Sequence, residues 1–210
     1  MSRKHKRTVT LLPVWIGIVV ATVLWTVMFG TKHNNFWTYM VFATTILGSW
    51  AWYNERDLFK PTESFGKTIL WGVGSAVLLY GVFWVGDIVT SLFPLQDGMI
   101  KNVYSTKEQA DKWVIGALLL FPIGPGEEIF WRGLVQKRFV EKWGMMGGIA
   151  TATLIYSLVH LASINPFLIL AALVCGAFWG FLYHYTKSIW ICIVSHAVWD
   201  FMIFVLIPLR

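Results

Sequence analysis

Between Trp143 and Thr186 the chain carries no Asp, Glu, Lys or Arg. About 20 apolar residues cross a hydrocarbon core as a helix, so this run is far too long for one crossing. Lipid offers the backbone no water, and helices satisfy their N–H and C=O groups internally. A break is therefore required, and Asn165-Pro166 supplies it, because the residue before a proline disfavours the helical conformation. The run reads as one span near 145–163 and a second near 166–185.

The remaining apolar stretches extend the same pattern. Thr8 to Thr31 is free of charge behind the basic start MSRKHKR. It shows no small-residue cleavage site, so it is expected to be a first membrane helix near 10–30 and not a removed signal. Further spans are expected near 35–53, after the polar turn TKHNN, and near 67–93, which is long and has room to tilt. After a polar loop from Gln96 to Lys112 come spans near 113–136 and, at the end, 188–208. The fold class is thus all-α, a polytopic transmembrane helix bundle of about seven crossings. Its loops leave no room for a second soluble domain, so residues 1–210 read as a single integral-membrane domain.

Composition agrees with a multi-pass protein of the cell membrane. Charged residues make up 13% of the chain, against about 25% in average soluble proteins. There are 13 Trp, a residue that favours membrane interfaces. The net charge of +6 is explained by topology and gives no ground for a nucleic-acid partner. With the N-terminus in the cytoplasm, that side holds Arg3, Lys4, Lys6, Arg7, Arg56, Lys60, Lys67, Lys137, Arg138, Lys142 and Lys187. The opposite side holds Lys32, Lys101, Lys107, Lys112 and Arg210, so the bias favours this orientation. Cys175 and Cys192 fall in apolar spans and read as small buried hydrophobes, with no CxxC-type metal motif.

Against this background, the polar residues inside spans stand out. Glu127 and Glu128 lie in FPIGPGEEIFWRGLVQKRF. Insertion scales put a single Asp at a helix centre at roughly 2.5–3.5 kcal/mol. Glu128 and Arg132 are four apart, on one helical face and within pairing reach. Glu127 is turned by about 100° from Glu128 and has no partner at helical spacing. The preceding Pro122 and Pro125, with Gly124 and Gly126, favour a kinked helix that opens on a wet pocket. His160 lies on the next span, and His196 and Asp200 share a face on the last. Three spans with uncompensated polar groups are most simply relieved by convergence on one cavity. Asp87, His184, Tyr185, His5 and His33 sit at span ends or in loops and are not expected to be catalytic.

The set Glu127-Glu128-x-x-x-Arg132, then His160, then His196-x-x-x-Asp200 resembles the CAAX protease and bacteriocin-processing (CPBP, or Abi) family, which includes the type II CAAX prenyl endopeptidases. The family pattern is EExxxR, an FxxxH-type histidine and HxxxN or HxxxD. The resemblance covers about 113–205, with Tyr156 where the family has Phe and Asp200 where its prenyl-protein proteases carry Asn. It implies an intramembrane endopeptidase acting on a membrane-associated or lipidated protein or peptide.

In that reading Glu127 and His160 hold and deprotonate a water, and His196 donates to the developing oxyanion. Asp200 either orients His196 and favours its charged form or is itself protonated in a dry site, while Glu128 and Arg132 brace the helix. No cofactor is required. A second version makes Glu127, His160, His196 and Asp200 ligands of a divalent metal such as zinc, although no HExxH is present. Two other functions remain open: a non-catalytic immunity or scaffold protein of the same fold, and a proton-coupled transporter. The second finds no support in an inverted repeat or a second broken helix.

Overall fold

The computed structural model describes residues 9–30, 35–92 and 96–209. The basic residues Arg3, Lys4, Lys6 and Arg7, together with His5, Lys32, His33 and Arg210, lie outside the described residues. All regular structure among the described residues is helical. The long elements are α1 (Leu12–Gly30), α2 (Phe36–Asn54) and α3 (Phe65–Thr90), then α8 (Pro166–Thr186) and α9 (Ile189–Phe201). Between them a short α4 (Gln96–Tyr104) runs into a 3-10 turn, Ser105–Gln109. The polar loop expected after the third span is therefore partly helical.

The segment that follows is built from α5 (Lys112–Leu118), α6 (Gly124–Glu128) and α7 (Lys137–Val159). Leu119–Ile123 and Ile129–Gln136 join them as π-helical turns. A 3-10 turn, His160–Ser163, ends the segment. A straight helix of its 52 residues would reach about 78 Å, more than twice the hydrocarbon thickness. It does not run straight. Gly144 has φ 76° and ψ 176°, a conformation that glycine adopts without a Cβ penalty, and the chain doubles back there. The rings of Trp131 and Tyr156 meet at 5.2 Å, and a Cβ placed on Gly148 would fall 2.4 Å from the Val140 nitrogen. The two arms are thus antiparallel, as the separate spans near 113–136 and 145–163 required.

Among the described residues, five helical segments are long and apolar enough to cross a membrane: Leu12–Gly30, Phe65–Thr90, Lys112–Ser163, Pro166–Thr186 and Ile189–Leu206. The fold of the third at Gly144, together with α2, makes a bundle of about seven long arms. Outward apolar side chains such as Leu70, Leu78 and Val85 are exposed, the arrangement expected where lipid replaces water. Local signals set the breaks. The Asn165 side chain accepts from the Phe167 and Leu168 amides, with Pro166 opening α8 behind it. Asp111 caps α5 in the same way, through Trp113 and Val114.

Small residues decide what surrounds the Glu127-Glu128 turn. A Cβ on Gly124 would lie 3.2 Å from the Ala197 Cα of α9. One on Gly126 would lie 2.7 Å from the Thr44 carbonyl oxygen of α2. The turn is wedged between these helices at backbone distance, a device common where helices pack in membranes. Gly126→Ala is expected to lower stability by about 1–3 kcal/mol through overpacking. Gly74→Ala, on an open face of α3, leaves it unchanged or raised. Thermal unfolding of both variants in detergent checks the pair; equal midpoints would remove the close-approach explanation.

Candidate active site

Glu127 and Glu128 occupy a single α-helical turn between two π-helical stretches, and a third, Met202–Leu206, begins two residues after Asp200. Such π segments shift the facing of side chains and are frequent at functional sites. Here the two carboxylates part. Glu127 lines a cavity of about 760 Å³; Glu128 does not.

Glu128 is fully buried. Its Oε1 accepts from Arg132 Nη1 at 3.0 Å and from His196 Nδ1 at 2.8 Å. Its other oxygen, Oε2, is buried without a hydrogen-bond partner. Arg132 also reaches the carbonyls of Cys175 and Gly176 on α8, at 3.3 and 3.4 Å. Its guanidinium lies between the rings of Tyr156 and Trp179, 5.1 and 5.4 Å from their centroids. The expected Glu128–Arg132 pair is present, and its carboxylate also grips a histidine from the last span.

The second nitrogen of His196, Nε2, faces Asp200 Oδ2 at 3.5 Å. Trp179 stacks on the imidazole at 3.8 Å with an interplanar angle of 21°. The ring is thus held by a carboxylate at one edge and an indole on one face. Asp200 stands at the opposite edge, where both residues line the cavity.

Glu127 has no partner at helical spacing on its own arm, as expected, but it has one across the bundle. Tyr156 Oη donates to its Oε2 at 2.9 Å. The partner comes from the folded-back arm, where helical spacing along the first arm gives no hint of it. The same Tyr156 offers its carbonyl to His160 Nδ1 at 2.8 Å. A carbonyl only accepts, so Nδ1 carries the proton, and Nε2 accepts from Trp25 Nε1 at 3.3 Å. His160 and Glu127 are therefore linked through Tyr156 and the shared cavity, each hydrogen-bonded to that one residue. Trp25 and Trp179 escaped the sequence reading; their signal was an indole N–H inside an apolar span, which needs a partner once buried.

His160 begins the turn that ends its arm. The cavity extends to that end. It is roofed by α4 and the turn after it, which are tied down by hydrogen bonds from Trp37 Nε1 to the Thr106 carbonyl and from Asn165 Nδ2 to the Met99 carbonyl. Asp87 also lines the cavity, while His184 lies outside it beside Lys187.

Among the described residues no group of three or more His, Cys, Asp or Glu is placed to hold an ion. Both nitrogens of His160 are engaged by Tyr156 and Trp25, and His196 Nδ1 is committed to Glu128. Cys175 and Cys192 are buried and unbridged.

Residues 109–202 match the family model described as type II CAAX prenyl endopeptidase Rce1-like. This bears out the resemblance drawn from the motifs. The matched stretch holds Glu127, Glu128, Arg132, His160, His196 and Asp200, and it ends before the last turn of the bundle. No match is found among curated proteins or among solved structures. The match supports a membrane peptidase at the general level.

Loss of Arg132 leaves Glu128 in the core without its cation, and breaking a buried pair from one side costs about 3–5 kcal/mol. Arg132→Leu is expected to unfold far below the parent protein, and Glu127→Gln close to it. Unfolding midpoints in detergent compare the two; similar midpoints would show that Arg132 does not hold the fold.

Proposed function

We propose that the chain is an intramembrane endopeptidase that cleaves a membrane-associated or lipidated protein or peptide with water activated by Glu127. One observation carries this reading. Glu127, His160, His196 and Asp200, from three arms, all line one cavity, while Glu128 and Arg132 stand behind it. A volume of about 760 Å³ is in the range that holds an extended ligand.

The division of labour follows from the hydrogen bonds. Tyr156 occupies Glu127 Oε2, which leaves Oε1 to accept a proton from water. The resulting hydroxide adds to the scissile carbonyl carbon, and its negative charge moves to the carbonyl oxygen. Glu128 accepts from His196 Nδ1, so the Nε2 edge is turned to the cavity, where the second N–H of the imidazolium, flanked by Glu128 and Asp200, stabilises that oxyanion. Asp200 steadies the same edge. As the C–N bond breaks, Glu127 returns its proton to the leaving amine. His160 helps seat the water by exchanging its long bond to Trp25, since 3.3 Å is beyond the usual N–H separation. Glu128 thus acts through His196 as a positioning residue.

The test starts from membrane proteomes of cells with and without the chain, which identify a cleaved polypeptide. That substrate is then presented to purified protein in liposomes. Glu127→Gln is expected to lower the cleavage rate by about 10²–10⁴-fold with unfolding unchanged. Tyr156→Phe, which keeps the carboxylate, is expected to lose less. Full cleavage by folded Glu127→Gln would overturn the mechanism. A cellular phenotype that survives this substitution would instead favour a scaffold.

A further inference from the structure

We infer that the cavity is served from the extracytoplasmic side of the membrane. Its substrate would then be a polypeptide that presents an apolar segment and its scissile bond on that side. The substrate part rests on the peptidase reading; the sidedness does not.

The lining begins at one end of the bundle and reaches inward to Trp179 of α8 and His196 of α9. At that end it takes in Trp25 and Phe29, in the last turns of α1, and Phe36, in the first of α2. Thr90 is the final residue of α3, Phe167 is second in α8, and Phe204 follows α9. The roof of α4 and its turn belongs to that end as well, with Ser105 both exposed and lining the cavity. At the other end, none of the residues joining α2 to α3, the two arms at Gly144 or α8 to α9 lines it.

That closed end is the basic one. Arg56, Lys60, Lys67, Lys137, Arg138, Lys142 and Lys187 flank it, and the sequence adds Arg3, Lys4, Lys6 and Arg7. The cavity end has Lys101, Lys107 and Lys112, with Lys32 and Arg210 in sequence. An excess of Lys and Arg in short loops marks the cytoplasmic face, so the closed end faces the cytoplasm. The walls below the open end carry Trp25, Phe29, Phe36, Trp37 and Met40, while Asn102, Ser105, Thr106 and Gln109 rim the mouth. Those walls suit an apolar segment better than a charged one.

Ser105→Cys and, on exposed α4 surface, Lys101→Cys report the open end, and Lys60→Cys the closed end. Intact cells, as spheroplasts where an outer membrane intervenes, are treated with a membrane-impermeant maleimide. The buried native Cys175 and Cys192 are silent background, checked in the parent protein. Ser105→Cys and Lys101→Cys are expected to label in intact cells, and Lys60→Cys only after lysis. The adduct at Ser105→Cys is expected to block cleavage by filling the cavity mouth. The reverse labelling pattern, or labelling of both ends from outside, overturns the sidedness. The same pattern in Glu127→Gln separates this outcome from any failure of the peptidase reading, because labelling needs no catalysis.

Discussion

Everything in this bundle depends on where the Glu128 carboxylate is held. A carboxylate with no exposed surface persists at membrane depth only when compensated, and Glu128 is compensated from two directions at once. Arg132 meets it from the same arm and carries that arm to the carbonyls of α8; His196 meets it from α9. Two arms meet at one oxygen, and Arg132 ties a third to them. Such a pair is weak testimony for net stability, since desolvation offsets much of the attraction, but it is strong on geometry, because any alternative packing would strand a charge. The bond that fixes the helices also fixes the imidazole edge that faces the cavity.

That bond requires backbones to come closer than ordinary side chains permit. Gly124 against Ala197 and Gly126 against Thr44 set the approach, and the step of about 100° between neighbours on the α-helical turn points the two carboxylates apart. Without the glycines, the Glu128 side chain would stand off from α9 by the thickness of a methyl group. The prolines 122 and 125 contribute by lacking an N–H that a regular helix would need to satisfy. The segment PIGPG is therefore less a flexible hinge than a flat, close-packed face.

Sequence alone revealed what depends on position along one chain. The apolar runs located the spans, Asn165-Pro166 located a break, and the four-residue interval located the Glu128–Arg132 pair. What it missed depends on contacts between chain segments far apart. Tyr156 reaches Glu127 only because the chain reverses at Gly144, and Trp25 meets His160 across the bundle. Asp200 was the expected orienting carboxylate for His196 because it lies four residues away. Glu128, remote in sequence, makes the shorter contact, 2.8 Å against 3.5 Å. Helical period ranks neighbours on one helix and says nothing of the facing one. The small helix α4 was hidden for another reason: a short polar stretch has no apolar stripe, and its order comes from bonds such as Asn165 to Met99.

The separation of the two adjacent glutamates has a chemical consequence. A general base must give up and regain a proton in each cycle, whereas a carboxylate that holds an ion pair and an imidazole cannot change charge without releasing both. Placing both duties on one residue would loosen the bundle at every turnover. In the proposed mechanism adjacent residues divide them, because the step of about 100° on their α-helical turn puts Glu128 behind the wall and Glu127 in front of it. The Tyr156 hydroxyl completes the arrangement: it donates to one Glu127 oxygen and orients the carboxylate without a permanent counter-charge. A lysine or arginine in that place would lock Glu127 in the charged state and weaken it as a base, so a neutral donor is what a working carboxylate at this depth calls for.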